Sequence, residues 1–89
     1  MRTHELKIER RFLERILDGS KNFEIRFNDR DFQKGDELFL RPVDQQRGAL
    51  LIATITYVLH FPEGLKDGWV ALGIEVSDKN KKAFKDLCY

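Results

Sequence analysis

Lys21, Glu24 and Arg26 fall within one short stretch, and Asn28, Asp29 and Arg30 follow it directly. A carboxylate set between an ammonium and a guanidinium can do two kinds of chemistry. It can read a polar ligand, the carboxylate accepting from an amino group while the guanidinium donates to a carbonyl or phosphate oxygen. It can also run an acid–base step, with Glu24 as base on a water and Lys21 stabilising the oxyanion that forms. A plainer reading stands beside both: the charges are the wet face of a strand, or pairs with Asp29, Arg30 and Asp36 that pin a loop. The density of polar groups between two turn signals, Gly19-Ser20 and Gly35-Asp36, favours a site.

The elements that must position these groups follow from periodicity. Phe23, Ile25 and Phe27 alternate with Asn22, Glu24, Arg26 and Asn28, which predicts a half-buried strand. The expected arrangement puts the three apolar residues in the core and Glu24 and Arg26 on the other face. Before it, Thr3 to Ile8 reads as a strand with His4, Leu6 and Ile8 on one side. A lone His on an apolar face is more often a hydrogen-bonded core residue than a catalyst. Glu9 to Asp18 reads as a helix with Phe12, Leu13, Ile16 and Leu17 on one stripe, ended by Gly19. Arg10, Arg11 and Arg15 on its other faces are solvating residues by default and phosphate contacts by exception.

Further strands are expected at Glu37 to Pro42, at Ala49 to Leu59 (central and buried on both faces) and at Trp69 to Val76. Phe32 plugs the loop that precedes Gly35-Asp36, and Asp44 to Gly48 forms a polar hairpin connection. His60 to Gly68 reads as a loop able to cover the charged stretch. Asp78 to Cys88 reads as a helix capped by Ser77 or Asp78, with Phe84, Leu87 and Cys88 inward. Five strands, one early helix and short connections make an α+β chain, a small mixed β-barrel whose closure removes exposed edges.

Composition narrows the function. The chain of 89 residues supports one domain, 1–89, with 77–89 as a helical extension. Sixteen basic and fifteen acidic residues give a net charge of +1, which disfavours a clamp on long duplex DNA. The single cysteine, Cys88, forms no intramolecular disulfide, and no segment reads as a secretory core or a membrane span, so a cytoplasmic protein is expected. There is no Cys/His ligand cluster and no Gly-rich phosphate loop, so neither metal nor cofactor is expected. A base lifted out of a stack would rest on Phe61 or Trp69, for ~1–3 kcal/mol.

Gly19-x-Lys21-x-x-Glu24-x-Arg26, followed by Phe32-x-x-Gly35-Asp36, resembles the ASCH domains of the PUA-like superfamily. Thr3-His4-Glu5-Leu6-Lys7, Asn28-Asp29-Arg30 and Glu63-Gly64-Leu65 look like one small bacterial and phage-borne subgroup that carries a domain-of-unknown-function label. The similarity runs from Thr3 to about Ile74; the helix after Ser77 is an addition. The resemblance implies a PUA-like barrel of about five strands capped by the N-terminal helix, with a cleft beside the Gly-x-Lys-x-x-Glu-x-Arg segment that takes RNA or modified bases. One ASCH branch hydrolyses the acyl amide of N4-acetylcytidine, pairing a Lys with a Thr nucleophile. Lys21 and Arg26 match that branch, but Glu24 stands where the Thr stands, and Glu63 matches its catalytic Glu only by region.

The expected function is an RNA- or nucleotide-binding module reading its ligand with Lys21, Glu24, Arg26, Asn28, Asp29 and Arg30. His4, His60, Phe61, Glu63 and Trp69 are secondary candidates. The alternative is a small amidohydrolase of an acylated nucleoside, with Lys21 and Glu24 as its catalytic pair. A protein partner stays open.

Overall fold

Seven elements follow one another: β1 (Thr3–Ile8), α1 (Arg10–Leu17), β2 (Phe23–Phe27), β3 (Glu37–Pro42), β4 (Leu51–Leu59), β5 (Trp69–Glu75) and α2 (Asp78–Cys88). The structure, a computed structural model, describes residues 1–45, 48 and 50–88. The α+β class and the five strands are as the periodicity predicts. Gln46, Arg47 and Ala49, within the expected hairpin connection and at the expected start of the fourth strand, lie outside the described residues.

The strands form one mixed sheet in the order β1-β3-β4-β5-β2. β1 runs parallel to β3, and the other three pairings are antiparallel. The sheet curls into a half-barrel and does not close by a backbone ladder. Its two edge strands are bridged by arginines instead. Arg26 Nη2 donates to the Lys7 carbonyl at 2.9 Å and Arg30 Nη1 to the Glu5 carbonyl at 2.8 Å. A sheet edge presents unpaired backbone acceptors that are costly to leave dry and hazardous to leave open. Here two guanidinium groups satisfy the β1 edge from across the seam.

One core fills the curl. Leu6 and Ile8 enter from β1, Leu13, Ile16 and Leu17 from α1, and alternate residues of β3, β4 and β5 complete it. Phe32 plugs it from the loop, as expected, and Phe84 anchors α2. Ser77 is the α2 cap: its Oγ accepts from the Asn80 amide at 3.1 Å. β4 is the middle strand, but it is buried on one face only, and a bulge between Ile55 and Tyr57 resets its pairing with β5.

Besides the open sheet and the one-sided burial of β4, three expectations are overturned. β2 alternates as predicted, but inside out: Glu24 is 4% exposed, while Phe23, Ile25 and Phe27 face outward. Period two fixes that neighbours point to opposite faces and leaves open which face is interior. The interior at this edge is polar, because Glu24 finds two cations there. Leu87 does not turn inward but is 75% exposed, since Phe84 already occupies the α2 contact with the sheet; the Cys88 side chain, also expected inward, lies outside the described residues. Phe12 leaves the α1 core stripe and is more than a third exposed, for a reason that belongs to the site.

Gly19 explains the first part of the sequence motif. It sits at φ 85°, just past the α1 C-cap Asp18, where a left-handed residue reverses the chain. The reversal lets the Lys21 amide donate to the Arg15 carbonyl at 3.0 Å, which aims Lys21 at β2. Nothing crowds a Cβ there, so Gly19→Ala is expected to show the conformational cost alone. That cost is about 1 kcal/mol, or roughly 4–8 °C in Tm for a domain this small, read by thermal unfolding.

Candidate functional site

Lys21, Glu24 and Arg26 do come together, as a closed ion triad. Lys21 Nζ donates to Glu24 Oε1 and to the Phe23 carbonyl. Arg26 Nε donates to Glu24 Oε2 at 2.9 Å, and its Nη2 lies 2.8 Å from the same oxygen. Both oxygens of the buried carboxylate are therefore taken by cations, which is what makes its burial tolerable. The cations keep capacity of their own. Arg26 Nη1 and the third N–H of Lys21 have no acceptor among the described residues.

This triad is the floor of a cleft of about 670 Å³ between α1, the end of β1 and β2. Its walls are apolar: Ile8, Phe12, Phe23, Ile25 and Val43. Lys21 Nζ lies 5.6 Å from the centre of the Phe12 ring and 5.0 Å from that of Phe23. Two aromatic rings thus flank the ammonium, one on the helix and one on the strand. Lys7 and Arg15 stand at the rim and add positive charge. A concave space of this size, with apolar walls and a few convergent polar groups, is the usual form of a small-ligand site.

Sequence reasoning missed Phe12 and Phe23, because helical and strand periodicity assign apolar residues to a core by default. Their aromatic character beside Lys21 was the available signal. Arg15 was weighed as a phosphate contact, and it does reach the cleft rim, where it also pairs with Asp18 at 3.2 Å.

The structure does not bring the Asn28-Asp29-Arg30 triplet into the cleft. Asn28 Oδ1 accepts from the Phe32 amide at 3.0 Å, Arg30 reaches back to β1, and Asp29 stays beside Arg30 at the surface. These residues fasten the 28–36 loop. His4 is buried at the head of that loop. Its Nε2 lies 2.9 Å from Asp36 Oδ2, and its ring meets Phe32 edge-on at 4.8 Å between centres. The core-histidine reading describes it.

Asp36 is the least legible of these residues. It is 2% exposed and accepts from His4, from the Arg2 amide at 2.9 Å and from the Gln33 amide at 3.1 Å. Burial pushes its carboxyl up, but the bonds from His4, Arg2 and Gln33 outweigh that and hold it at about 2.

The secondary candidates on the 60–68 loop stand apart from the cleft. His60, Phe61 and Glu63 are exposed, and the Phe61 ring lies over Gly64 so closely that no Cβ fits there. Trp69 borders a smaller depression of about 290 Å³ with Ile25, Leu65 and Lys66. Ile25 alone lines both hollows. No group of three or more His, Cys, Asp or Glu residues placed to hold a metal occurs among the described residues. Nor is any helix among them long and apolar enough to cross a membrane.

Known sequences are similar to this chain. A family model described as "Domain of unknown function (DUF3850)" matches residues 3–74, which include every residue of the cleft. A protein of Escherichia phage P2, described as "Uncharacterized 12.9 kDa protein in GpA 3'region", is 33% identical over 66 residues. The match covers 72% of this chain and 61% of the length of the phage protein.

Proposed function

The chain belongs to the DUF3850 family, and for this member we propose a nucleobase-binding module, taking a nucleotide or an unstacked base of single-stranded RNA in the cleft above Lys21, Glu24 and Arg26. The observation that carries this reading is the pair of aromatic rings, Phe12 and Phe23, that line the cleft on either element beside the Lys21 ammonium of its cation-rich floor. A planar heterocycle fits between rings, and stacking on them is tolerant of base identity. Arg26 Nη1 and Lys21 then donate to a ring carbonyl, and Lys7 and Arg15 attract the phosphate. We take the half-barrel as PUA-like and the family as a branch of ASCH domains; the motif spacing and the five-stranded mixed sheet with its N-terminal helix support this.

Binding is favoured over amide hydrolysis for a specific reason. A general base needs a lone pair aimed at its water, whereas both Glu24 oxygens are engaged by cations. Backbone amide NMR with cytidine, cytidine monophosphate, N4-acetylcytidine and a short single-stranded RNA tests the reading. Shifts are expected at Lys7, Phe12 and Lys21 to Arg26, with N4-acetylcytidine recovered intact. Shifts confined to the Lys79–Lys85 side of α2, or none, would overturn it.

A further inference from the structure

The inverted strand leaves an apolar face outside the half-barrel. In antiparallel pairs, residues directly opposite share a face. The pairing sets Phe23 against Gly73, Ile25 against Ala71 and Phe27 against Trp69. Beyond β5 it sets Tyr57 against Gly73 and Leu59 against Ala71. Three strands therefore present one continuous outer surface, apolar from Trp69 to Gly73, with the exposed Glu75 as the charge at its end.

The relief of this surface is specific. Phe23, Ile25 and Phe27 form a ridge along β2, and Tyr57 and Leu59 form a second ridge along β4. Ala71 and Gly73 between them leave a trough along β5, closed at one end by Trp69, whose ring meets Phe27 at 67°. Gly73 keeps the trough open: a Cβ there would lie 3.0 Å from Thr56 Oγ1. A ridge beside a trough of matching length is self-complementary under a two-fold axis, since each copy's β2 ridge can enter the other's β5 trough.

We propose that this face joins two copies of the chain in a symmetric dimer. Six large apolar side chains on it are each more than a third exposed. At the area such side chains carry, they leave roughly 500 Å² open, at the upper end of what monomers tolerate. With its rim, that approaches the roughly 800 Å² per partner of a stable interface. The composition fits as well: interface centres are rich in aromatic residues and poor in charge. The cations beside this face stand at its edges, Lys21 by Phe23 and already paired with Glu24, and Lys66 by Trp69, so it lacks the cluster of cations among the rings that a nucleic acid's phosphates need. The bulge after Ile55 contributes by bringing Tyr57 and Leu59 outward next to the trough. Phe23 and Ile25 also wall the ligand cleft, so the cleft lies at the edge of this interface.

Sedimentation velocity at about 100 μM, well above a micromolar Kd, tests the proposal. The expected species has twice the 10.5 kDa chain mass and dissociates on dilution. Tyr57→Lys and Phe27→Asp place a charge on either ridge without touching the cleft lining. Each is expected to weaken self-association at least tenfold while the far-UV circular dichroism is unchanged. If Phe27→Asp unfolds, Tyr57→Lys still decides. A monomeric parent at that concentration, or a dimer that survives both substitutions, would overturn the proposal. So would a monomer whose outer face is shifted by single-stranded RNA, which would assign the face to that ligand.

Discussion

Asp36→Ala is expected to lower stability by roughly 3–5 kcal/mol, the cost of breaking a buried charged network by removing one partner. Three donors lose their acceptor together: His4 Nε2, the Arg2 amide and the Gln33 amide. These donors come from the N-terminal strand and the loop, so the substitution also frees the start of β1 from the turn before β3. At roughly 4–8 °C per kcal/mol for a domain of this size, Tm should fall by more than about 12 °C. Asp36→Asn keeps an oxygen for one side of the site and sets an amide against donors on the other, so its loss should be intermediate. The pH dependence has a definite sign. Asp36 is held at about 2 when folded, below the ~3.9 of a free aspartate. Its ionic contribution is therefore complete above about pH 5 and is lost as pH falls through 3.9 toward 2. The stability gap between parent and Asp36→Ala, followed by urea unfolding, should narrow over that window. A gap unchanged down to pH 2 would show that the charge is not what the network uses.

Glu24→Ala is expected to cost about 3 kcal/mol, because it leaves Lys21 and Arg26 side by side without their shared anion. Both are mostly buried, and relief comes only if they swing into the cleft. The damage should extend beyond the triad. Arg26 is held by Glu24 while it donates to the Lys7 carbonyl, so losing Glu24 loosens the seam between β1 and β2. Amide hydrogen exchange in β2 should speed up more than in β4, which is laddered on both sides. Glu24→Gln, which keeps shape and one acceptor, should lose less stability and still bind ligand more weakly, because Lys21 and Arg26 are no longer aimed by charge. A Glu24→Gln protein with parental affinity would mean that the triad is purely structural.

Local patterns made the element order legible, and long-range partners decided the rest. Alternation over Thr3–Ile8 correctly placed His4, Leu6 and Ile8 inward, and Gly19 marked the end of α1. The same alternation over β2 carried no sign. Its sign was set by Lys21, by Arg26 and by a carbonyl of β1, nineteen positions away from Arg26. The motif that drew attention also separates into two jobs. Gly19, Lys21, Glu24 and Arg26 build the cleft floor. Asn28, Arg30, Phe32, Gly35 and Asp36 hold the loop and clasp His4. No local pattern distinguishes them, because Asp36 and His4 lie 32 residues apart. Phe12 falls on the expected core stripe, since helical spacing cannot reveal that a cleft opens between α1 and β2 with Phe12 and Phe23 both lining it.

The most direct test is a pair of affinities, measured by calorimetry with cytidine monophosphate and a short single-stranded RNA. Phe12 is more than a third exposed and outside the buried core, so Phe12→Ala should fold as the parent does while removing one aromatic wall. The loss of a stacking ring is expected to weaken binding roughly tenfold or more. Lys82→Ala, on the far helix where Lys82 pairs with Asp86, should bind as the parent does. Equal affinity in Phe12→Ala and parent, or a larger loss in Lys82→Ala, would contradict a nucleobase held between Phe12 and Phe23.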